Sequence, residues 1–241
     1  MRITGRLGDS CPNGDDCHRI HDTDGDQVIV QGDTVVDPEV LATLHMPRHE
    51  SAIMIDRTLI HPAPMDLPTL SAWIDARHTR HLIRVENLRA YAAVSDGGDF
   101  RRYLEGEDTP LEGDTWRERL RREAAAGRHR TKVHILAAGG PSDYERYEFE
   151  WGFRNNVEAG EEIRILPDRP DLRDVPDFWV IDHEHVVRMT YGADARFVGA
   201  TAVIGPDAAV YLALAVAVWS AAVPFTAWWD AHPEFHRRVT T

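Results

Sequence analysis

Apolar and polar positions follow patterns that divide the chain into strands and helices. The apolar runs of QVIVQGDTVV (27–36) flank a Gln-Gly-Asp turn and predict a β-hairpin. The next residues, DPEVLATLHM, predict a short helix with Asp37 as its N-cap and with Leu41 and Leu44 facing inward. A strand is expected in SAIMIDRTLI, so the segment 1–62 is predicted to be a small, mainly β module.

Three prolines in HPAPMDLP mark a linker, after which longer elements begin. We therefore expect a second domain over 69–241. Its first predicted elements are a helix over 70–81, a strand in RVENLRAYAAV, helices in GDFRRYLEGE and DTWRERLRREAAAG, and strands in TKVHILAA and EEIRILP.

The segment PSDYERYEFEWGF fits two patterns. Ser142 and Glu145 have the spacing of a capping box, and Tyr144, Tyr147 and Trp151 recur at helical spacing. The aromatic residues of its second half also alternate with glutamates, as they would in a strand. The capping box favours the helix.

The C-terminal part changes to a strand pattern and then to a final helix. FWVIDHEHVVRMTYGADARFVGATAVIG predicts a three-stranded meander with turns at 182–185 and 192–195. A last helix is expected over 207–229. The fold class is therefore predicted to be α+β: a mixed sheet with a C-terminal antiparallel meander and flanking helices, preceded by the small β module.

Composition narrows the range of partners. Hydrophobic residues make up 43% and charged residues 28% of the chain, which is typical of a globular protein, and the net charge is −13. A surface this acidic repels phosphate backbones and anionic lipid, so we expect no direct contact with nucleic acid or membranes. A basic protein partner or a cationic ligand fits better.

Localisation is predicted from three features. The first residues, MRITGRLGDS, lack the apolar core of a signal peptide, and a chain with two cysteines suggests a reducing cytoplasm. The uncharged run 208–225 just reaches the length of a membrane span, but it consists mostly of alanine and lacks flanking basic residues on its N-terminal side. We expect a buried helix there and a cytoplasmic protein.

The stretch CPNGDDCHRIHDTDGD has the composition of a metal site. Cys11, Cys17, His18 and His21 could supply four zinc ligands, but they crowd into eleven residues and lack the usual spacing of two pairs. Its aspartates resemble a calcium loop, but Gln27 stands where that loop needs glycine. We predict a polar loop with no metal and no cofactor, and a disulfide between the two cysteines stays open.

A second candidate site lies in DHEHVVRMTY. His183 and His185 would point the same way in a strand, and with Glu148 they could form the site of a hydrolase or a nuclease-like toxin. Such a run of charged residues more commonly forms the exposed tip of a hairpin. The chain also lacks the glycine-rich phosphate loops and the nucleophile elbow. Catalysis is therefore an alternative, and a non-catalytic protein is favoured.

An aromatic group supplies the third candidate. Tyr144, Tyr147 and Trp151, together with Arg146, could line a site for a small ligand. The same aromatic residues could equally form a core with the neighbouring glutamates in solvent, and we favour that interpretation.

Several segments between 85 and 225 resemble a known family. FRRYLEGE, WRERLRREAAAGRHRTKVHIL, SDYERYEFEWGFRNNVEAGEEIRILP, DFWVIDHEHVVRMTYGADARFVGA and AVPF are similar to domain-of-unknown-function family 6879, found in filamentous actinobacteria. The runs 156–166 and 178–199 are the most specific. The last helix, AVYLALAVAVW, departs from the resemblance because it is far more apolar than the charged helix expected there. The family has no established catalytic residues to carry over.

The first sixty residues are similar to small standalone proteins of the same bacteria. These proteins carry a cysteine pair and a DPEVLA segment, and they often occur beside helix-turn-helix regulators. The resemblance implies a fusion of two regulatory partners. We therefore expect a non-catalytic accessory or regulatory protein that binds a helix-turn-helix regulator or a small ligand.

Overall fold

A computed structural model of the chain describes residues 2–9, 18–24, 27–47, 50–55, 64–91, 98–108, 115–167, 169–172 and 174–237. Its contacts divide the chain into two compact units. The first comprises Met1–Pro64 with Ile204–Pro206, and the second comprises Met65–Val203 with Asp207–Thr241.

The first unit contains short strands and one helix. Its described elements are β1 (Ile3–Asp9), β2 (Arg19–Thr23), β3 (Ile29–Gln31), β4 (Asp33–Thr34), α1 (Pro38–Leu44) and β5 (Ile53–Met54). In the described residues, β1, β2 and β3 form an antiparallel sheet, and β4 pairs with β5 in a second one.

The hairpin predicted over 27–36 is wrong, because β3 and β4 belong to different sheets. Gly32 lies between them and passes so close to β5 that a Cβ there would stand 2.3 Å from the carbonyl oxygen of Met54. Glycine thus lets the chain leave one sheet and enter the other. A local turn pattern cannot reveal this, since both pairing strands lie elsewhere in the sequence.

Helix α1 begins as predicted. The carboxylate of Asp37 accepts hydrogen bonds from the backbone N–H of Glu39, at 2.9 Å, and of Val40, at 3.4 Å. Leu44, however, is 48% exposed, so the inward orientation predicted for it is wrong. Residues 10–17 lie outside the described residues. They include both cysteines, so the possible disulfide between Cys11 and Cys17 also lies outside them.

The second unit alternates helices and strands. Its described elements are α2 (Leu67–Asp75), β6 (His81–Glu86), α3 (Asp99–Leu104), α4 (Thr115–Ala125), β7 (His129–Leu136), α5 (Asp143–Tyr147), a π-helix (Glu148–Phe153), α6 (Arg154–Glu158), β8 (Glu162–Pro167), β9 (Phe178–Ile181), β10 (His185–Tyr191), β11 (Phe197–Val203), α7 (Pro206–Ala221), β12 (Val223–Pro224) and α8 (Phe225–Ala231), with short 3₁₀ turns at Pro170–Leu172 and Pro233–Phe235.

The described strands of this unit form one mixed sheet in the order β11-β10-β9-β6-β7-β8-β12. Strands β6, β7 and β8 are parallel, and β9, β10 and β11 form the predicted antiparallel meander. The α+β fold class is therefore confirmed. The helix predicted across 143–153 is also confirmed, although half of it is a π-helix.

The sheet has one apolar face. Val85, Val133 and Phe178 point to this face and pack against Ala215 and Val218 of α7. Side chains of a strand alternate between faces, so the intervening residues of β6 and β7 project to the opposite face. That second face carries the chemistry described below.

Helices cover both ends of the second face. At one end, Leu70 and Ile74 of α2 pack near β9 and β10. At the other end, Phe149 and Phe153 of the π-helix pack on β8 and α8. The central part, over β6 and β7, is left to charged side chains.

Three predicted boundaries are wrong. The helix expected over 70–81 ends at Asp75, and the strand expected in RVENLRAYAAV is the end of β6 only. The strand stops where the backbone N–H of Asn87 donates to the carboxylate of Asp177, at 2.8 Å, and not to a neighbouring strand. The side-chain amide of Asn87 donates to the carbonyl oxygens of Leu172 and Val175, at 2.8 and 3.1 Å.

The third wrong boundary concerns the last helix, which is interrupted after Ala221. Val223 pairs with Ile165, and Pro224, which has no N–H for a helical hydrogen bond, follows in the short strand β12. Among the described residues, no helix is both long and apolar enough to cross a membrane.

Candidate functional site

The predicted catalytic residues do not lie together. The ring of His183 lies 5.6 Å from that of His81, the first residue of β6. The ring of His185 contacts Trp73 at 6.0 Å. Glu148 instead lies among charged residues at the far end of β6, about 16 Å along the strand at roughly 3.3 Å per residue.

The predicted ligand-binding aromatic residues form a core. Tyr144, Tyr147 and Trp151 are each at most 8% exposed and pack with Tyr103 of α3. The rings meet edge to face, with centroids 5.6 Å apart for Tyr144–Tyr147 and 5.8 Å for Tyr147–Trp151. The side chain of Arg146 is 40% exposed; it lies 3.9 Å from the carboxylate of Asp143 and 5.9 Å from the centroid of the Phe235 ring.

The π-helix determines how Phe149, Phe153 and Glu148 are placed relative to the sheet. A π-helix holds more residues per turn than an α-helix and often occurs at functional sites. Here it brings both Phe149 and Phe153 edge-on to the ring of His134, at 5.6 and 5.9 Å. Its first residue, Glu148, points toward the charged residues of the sheet. Gly152 leaves room for that carboxylate, since a Cβ there would lie 3.3 Å from Oε2.

Six side chains beneath the π-helix form what we name the charged cluster. It consists of Arg84, Glu86, Lys132, His134, Glu145 and Glu148. The parallel register of β6 and β7 pairs Arg84 with Lys132 and Glu86 with His134, so all four project to the same face.

Glu86 is the hub of the charged cluster. Its carboxylate lies 2.8 Å from Nη2 of Arg84, 3.5 Å from Nζ of Lys132 and 3.6 Å from Nδ1 of His134. The other ring nitrogen of His134 lies 3.0 Å from Oε1 of Glu145. Four of these five residues are less than 8% exposed, which makes their pairing decisive for stability.

Burial and ion pairing shift the pKa values of Glu86 and His134 in opposite directions. Burial would raise the pKa of Glu86, but Arg84 and Lys132 hold it far below its usual range. Burial would lower the pKa of His134, but its hydrogen bond to Glu145 and the neighbouring carboxylate of Glu86 raise it to about 9. Burial raises the pKa of Glu148. His134 is therefore a cation at neutral pH.

A groove of about 580 Å³ opens at the carboxyl end of β6. Its lining includes Asn87, Asp174, Asp177, Arg188 and Tyr191. The crevice beyond the carboxyl ends of parallel strands is where open α/β sheets commonly bind ligands, and this volume is within the range of small-molecule sites.

Asp177 connects the groove to the interior. It is 2% exposed, and its carboxylate accepts hydrogen bonds from the hydroxyl of Tyr91, at 2.5 Å, and from the backbone N–H of Asn87, at 2.8 Å. The Tyr91 ring lies 5.4 Å from that of Tyr191 and 5.6 Å from the guanidinium of Arg84. A ligand in the groove would therefore lie beside residues that contact the charged cluster.

One surface of α7 is exposed and apolar. Val210 is 64% and Val216 is 58% exposed, and Ala209, Ala213 and Ala217 are exposed on the same side. We name these five residues the α7 apolar face. The helix is buried only along its opposite side, so this face meets solvent in the described structure.

Metal ligation is not prearranged in the part of the chain that the structure describes. No three histidine, cysteine, aspartate or glutamate side chains within it converge on a common point. Both histidines of the metal-like stretch that are described contact the first unit's own polar residues: His18 binds Asp33 at 3.1 Å, and His21 binds Gln31 at 3.2 Å.

Comparison with known proteins gives one match. No curated protein and no solved structure matches the chain. The family model described as Domain of unknown function (DUF6879) matches residues 69–230, about two thirds of the chain and most of its second unit. The charged cluster, the groove and the α7 apolar face all lie within the matched range. The chain therefore belongs to the domain-of-unknown-function family DUF6879.

Proposed function

We propose that this chain is a non-catalytic accessory protein that binds a DNA-binding regulator of the helix-turn-helix class. The α7 apolar face is the observation that carries the proposal. Exposed apolar patches on a folded domain commonly mark protein–protein contacts. A helix that presents valines and alanines to solvent suits a partner with an apolar groove or helix of its own.

The charge of the chain supports the choice of partner. A net charge of −13 repels DNA but attracts the basic surface by which a regulator holds DNA phosphates. The exposed Asp207 stands at the start of α7, next to the apolar face. An apolar face with an acidic residue at one end fits a basic protein with a complementary patch.

Two further points support a non-catalytic role in regulation. The interior charges of the cluster neutralise one another, as in a structural ion-pair network. The first sixty residues resemble small two-cysteine proteins that occur beside helix-turn-helix regulators, which would make this chain a fusion of regulatory parts.

Capture experiments with the full chain test this proposal. We expect the immobilised chain to recover a helix-turn-helix protein from a native lysate, and the purified regulator to bind it. Val210→Asp should weaken that binding at least about tenfold, because it places a charge within the α7 apolar face. Val198→Asp is the matched control, since Val198 is 65% exposed on β11, away from α7.

Three results would overturn the proposal. One is repeated capture without any helix-turn-helix protein, and another is equal affinity of the regulator for the Val210→Asp and unchanged chains. The third is a homodimer, detected by light scattering, that Val210→Asp converts to a monomer. That result would assign the α7 apolar face to a second copy of the chain.

The groove supports a second candidate function, the sensing of a small ligand. Asp174 and Arg188 give its lining an exposed negative and an exposed positive charge. Beside it, Nε of Arg84 and Nε1 of Trp179 are buried and have no acceptor in the described structure. These features suit a small molecule that carries both an ammonium and a carboxylate group.

Thermal denaturation with defined probes tests this candidate. Glycine, L-glutamate and L-arginine should raise the melting temperature of the full chain, and acetate and ethylamine should raise it less, because each single-charge probe leaves one groove charge unpaired. Arg188→Gln should remove the difference, whereas Arg196→Gln, at an exposed arginine of the β10–β11 turn, should keep it. Equal shifts for both classes of probe would refute the candidate.

A further inference from the structure

We propose that the first unit binds a basic amphipathic helix of a partner protein along α1 and β5. The observation behind this proposal is that the unit buries very little. Among the side chains that the structure describes in it, only Ile20 and Thr23 are buried. Its exposed large apolar side chains are those of Ile3, Val28, Val36, Val40, Leu44, Ile53 and Met54. So many exposed apolar side chains in so small a unit mark a binding surface.

Helix α1 supplies the first part of this surface. None of its seven residues is buried. Val40 and Leu44 are four residues apart, so they lie on the same side of the helix, and they are 43% and 48% exposed. Val36, just before the N-cap Asp37, is 80% exposed. A helix this short is marginally stable in isolation, and most helical stability in proteins comes from packing of an apolar side. A partner would supply that packing.

The pair of strands β4 and β5 supplies the second part. Ile53 pairs with Thr34, and Met54 pairs with Asp33. Consecutive residues of a strand point to opposite faces, yet Ile53 is 40% and Met54 is 58% exposed. Both faces of this two-stranded sheet therefore keep an apolar side chain in contact with solvent, although an isolated pair of strands is marginally stable in water. We name Val36, Val40, Leu44, Ile53 and Met54 the α1–β5 surface.

Charge determines which partner fits the α1–β5 surface. The first 64 residues contain five arginines, no lysine, and eleven aspartates or glutamates. The stretch 27–47 has neither lysine nor arginine, and its three acidic side chains, those of Asp33, Asp37 and Glu39, are all exposed. Lysine or arginine side chains of a partner would pair with these carboxylates. A second copy of the chain would instead bring like charges together, which opposes binding.

A helix is the partner element that meets both requirements. When apolar residues recur at intervals of three and four, they form one side of a helix and can contact Val40 and Leu44, while basic residues beside them reach Asp37 and Glu39. The α1–β5 surface belongs to the first unit, and the α7 apolar face belongs to the second. Variants in each unit therefore test the two surfaces separately.

Fluorescence anisotropy with synthetic peptides and the full chain tests the proposal. The probe is a labelled peptide of about 18 residues, with leucine at intervals of three and four and lysine elsewhere. We expect it to bind with a dissociation constant in the micromolar range. Two matched peptides should bind at least about tenfold more weakly. The first has glutamate in place of lysine and lacks the complementary charge, and the second has a scrambled order and lacks an apolar side.

Glutamine substitutions locate the bound peptide without changing the charge of the chain. The double variant Val40→Gln/Leu44→Gln should weaken binding at least about tenfold, and its melting temperature should be unchanged because both side chains are exposed. Val210→Gln, in the α7 apolar face, is the matched control and should bind the peptide as the unchanged chain does.

Three results would overturn the proposal. One is equal affinity of the double variant and the unchanged chain for the leucine–lysine peptide, and another is equal affinity of the unchanged chain for the lysine and glutamate peptides. The third is loss of binding in Val210→Gln with binding kept in the double variant, which would place the peptide on the α7 apolar face. None of these results would contradict capture of the regulator, which is measured with Val210→Asp.

Discussion

Replacing Glu86 by glutamine is expected to destabilise the chain by about 3–5 kcal/mol, the usual cost of breaking a buried ion-pair network. Its carboxylate neutralises Arg84 and Lys132 and contacts His134. Glutamine has nearly the same shape but no charge, so the cationic side chains would remain in the interior without their shared counter-charge. Urea denaturation followed by circular dichroism measures the effect.

Glu162→Gln is the matched control for this substitution. Glu162 also lies on a strand and pairs with an arginine, Arg164, at 3.2 Å, but its side chain is 56% exposed. Water screens such a pair, so we expect its loss to cost less than about 0.5 kcal/mol. If Glu86→Gln cost no more than Glu162→Gln, the charged cluster would not stabilise the fold.

The charged cluster also explains how β6 and β7 find their register. The residues of their other face are apolar, and apolar contacts tolerate sliding better than ion pairs do. In the observed alignment Glu86 of β6 lies opposite His134 of β7 and 3.5 Å from Nζ of Lys132, so its charge is paired across the two strands. We infer that the cluster contributes specificity of strand pairing in addition to stability.

The periodicity of the sequence was sufficient for the outline of the second unit. Strands β7 and β8, the meander and the helix that begins at the capping box of Ser142 are all local patterns, and each is present. Predictions from local patterns are wrong where an element boundary depends on contacts between residues that are distant in the sequence. The interruption after Ala221 depends on pairing of Val223 with Ile165, and the end of β6 depends on Asp177, which accepts from the backbone N–H of Asn87.

The candidate site was predictable only in part. The sequence predicts Glu148 as a site residue, and it does lie in the charged cluster, but its partners lie on the strands β6 and β7, which precede it in the chain. His183 and His185 were grouped with it because of their chemistry, and the sheet keeps them at the other end of β6. The type of a residue alone does not indicate which strand ends, and therefore which side chains, the fold brings together.

A signal for the cluster was nevertheless present in the sequence. Strand β7 reads HRTKVHIL, in which Lys132 and His134 alternate with Val133 and Ile135 of the apolar core, and Arg130 continues the polar positions. A strand in the middle of a covered sheet is normally apolar on both faces. Polar residues at every second position of such a strand therefore indicate a buried polar site, and Lys132 is the single lysine of the chain.

His134 should make the stability of the chain fall as the solution becomes alkaline. Burial would lower its pKa, but the hydrogen bond to Glu145 and the neighbouring Glu86 carboxylate raise it to about 9, whereas the unfolded chain has the ordinary value of about 6.5. The stabilisation is complete below pH 6.5 and is lost as pH rises through 9. At about 1.4 kcal/mol per pKa unit, the loss is on the order of 3 kcal/mol.

Urea denaturation at pH values from 6.5 to 10 checks this expectation. Glu148 and Lys132 are ionisable groups that also lie near His134. The effect of His134 itself is therefore measured with variants in which a single histidine is replaced. His134→Gln should be less stable than the unchanged chain at pH 6.5 and should lose much less stability on going to pH 10. His129→Gln, at an exposed histidine of the same strand, should keep the alkaline loss. An equal loss in both variants would mean that another group titrates, and the cluster would then hold His134 as a neutral ring.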